Sequence, residues 1–267
     1  MSKKLSNPPV YYTIVQAQFN PVAAMANYIN EIQDKLRREG YTLFDTQKVT
    51  QLHFETTQPS APNKAEVVEI PIWRMTKSDQ KSGFILNQSQ LVYHTTHYET
   101  HDQFFDAFLL GLERVHSTIK LDHLSRLGLR YLNAVLPSAD EAVDQYLVNG
   151  LHGVNIEATP RYSLYESVFN TTIEPTSTSG ILVNRVLCRA GALGYPPDIN
   201  PPDLLPLPKF AKGDNISHAV IDIDHFIEGQ MPLNFDQTKI QLSSLHAGVK
   251  QAFKATVTDY ARKVWAQ

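Results

Sequence analysis

Two periods organise the apolar residues of this chain. Over residues 10–19, Val-Tyr-Tyr-Thr-Ile-Val-Gln-Ala-Gln-Phe, β-branched and aromatic residues alternate roughly with polar ones, which predicts a strand. Asn20-Pro21 stops it, because Asn caps a helix well and Pro suits a first helical turn. Val22, Met25, Ile29, Ile32 and Leu36 then follow at spacings of three and four. That is the stripe of an amphipathic helix over 22–39, ending at Gly40.

The same reading extends along the chain. Strands are predicted over 41–58 and 66–75 around a turn at 58–63, and over 83–98 with a reversal near Asn87. Thr100 and Gln103 form a capping box. The helix they open carries a broad apolar face of Phe104, Phe105, Phe108, Leu109, Leu112 and Val115, suited to packing on a sheet. A strand over 125–136 follows, then a short helix over 139–149, and strands over 151–159, 162–174 and 181–190. Residues 191–216 hold six of the sixteen prolines and read as a long extended loop. A strand over 217–228 and a terminal helix over 236–265, with Leu242, Leu245, Val249, Phe253, Val257 and Val264, complete the chain. Helices do not alternate with every strand, so a doubly wound parallel sheet is not expected. The expectation is an α+β fold, with antiparallel sheets and long amphipathic helices packed on one face. It is divided into two lobes, 1–145 and 146–267, the second holding the proline-rich loop and the terminal helix.

Charge and composition narrow the classes. A formal charge of −3 and a pI near 6.4 argue against a general nucleic-acid binder, which shows a strong basic excess. Cys188 is the single cysteine, so an intrachain disulfide and a cysteine-based metal site are excluded. No signal-peptide core follows Met-Ser-Lys-Lys, and no apolar run reaches the length of a membrane span. A cytoplasmic bacterial protein is the simplest expectation.

The candidate chemistry centres on Arg126-Leu127-Gly128-Leu129-Arg130-Tyr131-Leu132-Asn133. A period of two puts Arg126, Gly128 and Arg130 on one face, the arginines about 13 Å apart. Guanidinium groups near a core require anionic partners. Arg126 and Arg130, with Asn133, therefore either hold an anion or pair internally with Asp222 and Asp224 or with Glu157. Internal pairing is preferred, because an unpaired buried charge is costly. Asp222 and Asp224 share one face of a strand, as ligands of a divalent cation or as its polar side. His94, His97 and His101 form a string, but the first two point to opposite faces of a strand and the third opens a helix, which disfavours a metal site. Cys188 sits in an apolar run, where a thiol is inert. Nucleophile elbows and glycine-rich phosphate loops are absent. In the proline-rich loop, Tyr195, Ile199, Leu204, Leu205 and Leu207 form either a partner-binding arm or a strap over the chain's own sheet.

Several pieces in order carry a resemblance: Asn7-Pro8-Pro9-Val10, Phe19-Asn20-Pro21, Arg126 through Asn133, Ile221-Asp222-Ile223-Asp224, and Leu245-His246 opening into a C-terminal helix with Phe253. Together they resemble a family of sporadically distributed, uncharacterised bacterial proteins of about this length. The family brings no catalytic residue, cofactor or substrate. Its patchy occurrence resembles that of horizontally moved accessory genes, phage-defence and toxin–antitoxin components among them. The expectation is a non-catalytic binding or regulatory accessory protein, without a cofactor, with a protein partner or self-association and no membrane; nucleic acid is not favoured. The alternative is an enzyme or receptor for a phosphorylated small molecule or nucleic acid, with the arginines on phosphate and the aspartates on a metal.

Overall fold

The structure, a computed structural model, describes all residues except 1–4, 55–64, 155, 158–161, 200–202 and 212–215, and describes 50–54 and 65–68 by their backbone alone. Among the described residues nine strands form one antiparallel sheet. They are β1 (Val10–Phe19), β2 (Leu43–Phe54), β3 (Ala65–Thr76), β4 (Ser82–Leu86), β5 (Gln90–Thr95), β6 (His123–Val135), β7 (Tyr162–Ile173), β8 (Thr178–Gly191) and β9 (Ile216–Pro232). Their order across the sheet is β2-β3-β4-β5-β1-β6-β9-β8-β7. The halves 1–145 and 146–267 contribute to this same sheet, joined along the β6–β9 ladder from His123↔Pro232 to Val135↔Ala219.

Among the described residues four α-helices accompany the strands: α1 (Met25–Arg38), α2 (His101–Ile119), α3 (Phe235–Thr256) and α4 (Asp259–Trp265). The buried stripe of α1 is Met25, Ile29, Ile32 and Leu36, the three-and-four pattern of its sequence. Gly40 closes this segment with a left-handed φ of 93°. α2 starts at Thr100, whose side chain accepts from the Gln103 amide, and buries Phe104, Phe105, Phe108 and Leu112. These stripes join Val15, Ala17, Leu127, Leu129, Tyr131, Ile221 and Ile223 in the main core. Gly248 lets α3 approach β9 closely: a Cβ there would stand 2.4 Å from the His225 ring. His225 is buried and bridges the Leu245 carbonyl and Thr171, each at 2.8 Å.

The other sheet face carries a smaller core of Tyr11, Tyr12, Leu132, Ala134 and Val220. The proline-rich segment is strapped across it. Tyr195, Ile199, Leu204, Leu207 and Phe210 pack on that core, and the Tyr11 hydroxyl donates to the Gly194 carbonyl at 2.7 Å.

Three elements differ from expectation. The helix expected over 139–149 is replaced by two short 3-10 turns, Val143–Gln145 and Asn149–Leu151. Glu141 accounts for this: its carboxylate accepts from the Ser138 amide and from the hydroxyls of Tyr146 and Tyr260, and Leu147 bridges to Val257. Helical hydrogen bonds give way to these contacts, of which those to Tyr260 and Val257 are long-range. Within 151–159 the described residues form no strand: Leu151 ends a 3-10 turn and packs against the main core, and the described residues after it are exposed, leaving no buried face to anchor a sheet. The terminal helix breaks at Val257–Thr258, where Thr258 caps α4 through the Ala261 amide. The turn expected at 58–63 lies outside the described residues. Among the described residues no helix is long and apolar enough to cross a membrane.

Candidate functional site

Antiparallel register assembles the site in rows across the strap-side face. Gln18 stands opposite both Gln90 and Arg126, and Arg126 opposite Glu228. One row along, Val92, Gln16, Gly128, Phe226 and Ile181 are aligned. The next row is His94, Ile14, Arg130, Asp224 and Val183, and beyond it Leu132, Asp222, Arg185 and Glu166. Period two thus brings Arg126, Arg130, Asp222 and Asp224 onto one face.

The charges form a continuous network. Arg130 donates to Asp222 from Nε at 2.8 Å and from Nη2 at 2.7 Å, and to Asp198 of the strap from Nη1 at 2.5 Å. Arg185 stands 3.6 Å from Asp222 and 2.5 Å from Glu166. Arg126 is held more loosely, 3.4 Å from Asp224 and 3.6 Å from Glu228, while it donates to Gln16. Its guanidinium lies across Gly128 and over the Phe226 ring, 4.1 Å from the centroid. A Cβ on residue 128 would stand 3.0 Å from both Arg126 Nη1 and Phe226 Cβ, so the missing side chain makes room for this arrangement.

Burial sets the protonation balance. Desolvation works against the Arg130 charge, but its hydrogen bonds to Asp222 and Asp198, with the charges of those carboxylates, outweigh it and hold the guanidinium more firmly protonated than usual. The Asp198 carboxyl is held below its ordinary range, chiefly by its bond from Arg130. Asp224 moves the other way: burial raises its pKa despite Arg126 and Arg130. His94 is buried, bonded to the Tyr12 hydroxyl at 2.8 Å, and pushed down to about 3 by burial and then by Arg74.

Beside the strap, this face opens into a cleft of about 420 Å³. Ile14, Ile72, Ile85 and Val92 line its floor, and Gln16, Arg74, Arg126, Arg130 and Asp198 supply polar groups. Arg74 is bound by the second strap carboxylate, Asp203.

The other residues singled out by sequence are dispersed. Asn133 falls on the opposite face from the arginines and donates to the Ile221 carbonyl at 3.4 Å. Glu157 is exposed in a loop, not on a neighbouring strand, and is no partner in the arginine network. His97 bonds to Thr96, and the His101 ring stacks on His246 with centroids 4.7 Å apart, so the histidine string does not converge. Asp222 and Asp224 occupy successive rows, each facing guanidinium groups. Among the described residues no group of three or more His, Cys, Asp or Glu side chains is placed to hold a metal ion. Of the strap residues, Leu204 is buried and Leu205 exposed.

Sequence reasoning missed Asp198, Asp203, Arg74 and Gln16. One signal was legible: Pro196-Pro197-Asp198 recurs as Pro201-Pro202-Asp203, and each copy delivers its aspartate to a sheet arginine. No protein-family model matches the chain, and no curated protein matches it.

Proposed function

We propose that this chain is a non-catalytic binding protein, a regulatory or accessory component of the kind found in mobile bacterial defence or toxin–antitoxin systems, acting in the cytoplasm through a protein partner. The observation that carries the non-catalytic reading is the Arg130 cluster. Asp222 and Asp198 bind one guanidinium together, so the charge a phosphate ligand would use is taken up by the chain's own carboxylates. The partner surface is the β7 edge. Tyr162, Leu164, Val168 and Phe169 are each more than half exposed, and Glu166 is the one charged residue of the strand. An extended segment of the partner adds to this edge by main-chain hydrogen bonds, with the apolar side chains as specificity contacts. The test is affinity capture from the source organism with the tagged chain, combined with its mass in solution. Recovery of a stoichiometric protein is expected; a monomer that captures nothing would remove this reading.

A second reading has its own observation. Arg126 touches its carboxylates only at 3.4 and 3.6 Å and faces the open cleft, as a phosphate-binding group would. Titration with magnesium and a panel of nucleotides tests it. Binding that is lost in Arg126→Ala favours a receptor or enzyme for a phosphorylated molecule.

A further inference from the structure

A second cleft lies at the far end of the strap and has no part in the arginine network. Its volume is about 430 Å³, within the size range of small-ligand sites. Its walls combine apolar and aromatic surface from Pro9, Leu136, Leu193, Phe210 and Trp265 with polar surface from Asn7, Ser138 and Tyr146. Among the described residues, Lys209 is the single charged side chain in this lining.

The environment of Lys209 is unusual for a lysine. Its ammonium donates to Asn7 Oδ1 at 2.7 Å and to the Pro8 carbonyl at 2.6 Å, both uncharged acceptors, and lies 4.7 Å from the Phe210 ring centroid. Among the described residues no carboxylate is within ion-pair distance of it. Burial lowers its pKa. An ammonium has three donors, and two are used. A half-buried cation with a spare donor, beside the apolar and aromatic wall of a cleft, is complementary to one anionic group on an apolar body.

We propose that this cleft binds a small amphipathic carboxylate, its chain against Pro9, Leu136, Phe210 and Trp265 and its carboxylate on Lys209. Asn7 and Pro8 hold the ammonium in place for it. The binding is reversible and non-covalent, and it stands independently of the partner reading for β7.

Trp265 provides the readout, since Trp73 is the only other tryptophan and lies on β3. In a Trp73→Phe background, octanoate should shift the Trp265 emission saturably, with a midpoint at or below about 1 mM. Octanol, with the same chain and no charge, should bind at least about tenfold more weakly. Lys209→Met should lose about tenfold in octanoate affinity, and Lys209→Arg should keep most of it. No saturable shift with octanoate, or equal binding of octanoate and octanol, would overturn the proposal. Full affinity in Lys209→Met would overturn it as well. If Lys209→Met fails to fold, the octanoate–octanol comparison on the parent chain and the Lys209→Arg variant still decide the matter.

Discussion

Arg130 is bonded to Asp222 and not to Asp224, although Asp224 is the residue directly opposite it in the β6–β9 register. The guanidinium reaches one row along, where two hydrogen bonds satisfy it, and leaves Asp224 to the longer contact with Arg126. The Asp222 side chain is 4% exposed, whereas that of Asp198, the other partner of Arg130, is 62% exposed. Removing an inner partner strands a buried charge; removing an outer one leaves the charge near water. Asp222→Ala should therefore cost about 3 kcal/mol of folding stability. Asp198→Asn should cost less than about 1 kcal/mol. Urea unfolding of both variants checks this, and equal losses would contradict the assignment of Asp222 as the structural partner.

Gly128 permits the Arg126 arrangement. A methyl group there would meet the mobile end of Arg126 and the Cβ of Phe226, and only the first can move aside easily. Gly128→Ala should destabilise by about 1–3 kcal/mol through overcrowding. It should also release Arg126 from Gln16 and from the Phe226 ring. Unfolding measurements give the first effect. The second should appear as non-additivity: in the Gly128→Ala background, Gln16→Ala should have almost no further effect.

The elements with strong periods were legible in the sequence. The β1 bounds and the α1 stripe follow from alternation and from three-and-four spacing, because each element buries one face against the main core. The shared face of Arg126, Arg130, Asp222 and Asp224 follows from period two alone. The strap partners did not follow, since a proline-rich segment has no period to say which side chain faces inward. The 3-10 turns near Glu141 were hidden for a different reason. They depend on Tyr260, more than a hundred residues away along the chain, and local propensity carries no trace of such a contact.

Acid should weaken the fold in a defined window. Burial lowers the pKa of His94 to about 3, and burial together with His101 lowers that of His246 to about 4. In the unfolded chain both return to about 6.5. The unfolded state then takes up protons first, so the contribution is complete above about pH 6.5 and is lost as pH falls toward the folded values. Each group removes up to about 1.4 kcal/mol per pH unit within that window. Asp224 acts in the opposite sense: its raised pKa lets the folded state bind a proton first, which offsets part of the loss. Denaturation midpoints at pH 7 and pH 5 should show the decline. His246→Leu should flatten it, and Asp224→Asn should steepen its acid end. A midpoint independent of pH between 7 and 5 would contradict the neutral state of both histidines in the folded chain.

The β7 edge separates partner binding from stability. Leu164 is 54% and Val168 60% exposed, and they flank Glu166, which is tied to Arg185. β7 is hydrogen-bonded to β8 along one side and is the last strand of the sheet. A charge at an exposed edge position leaves the fold intact but blocks edge-to-edge pairing. Val168→Lys should therefore unfold within about 0.5 kcal/mol of the parent chain. The same substitution should abolish capture of the protein partner. Gln251→Lys, on the exposed side of α3, should leave both properties unchanged. If Val168→Lys captures the partner as well as the parent chain does, the partner docks on another surface, and the role assigned to the β7 edge is wrong.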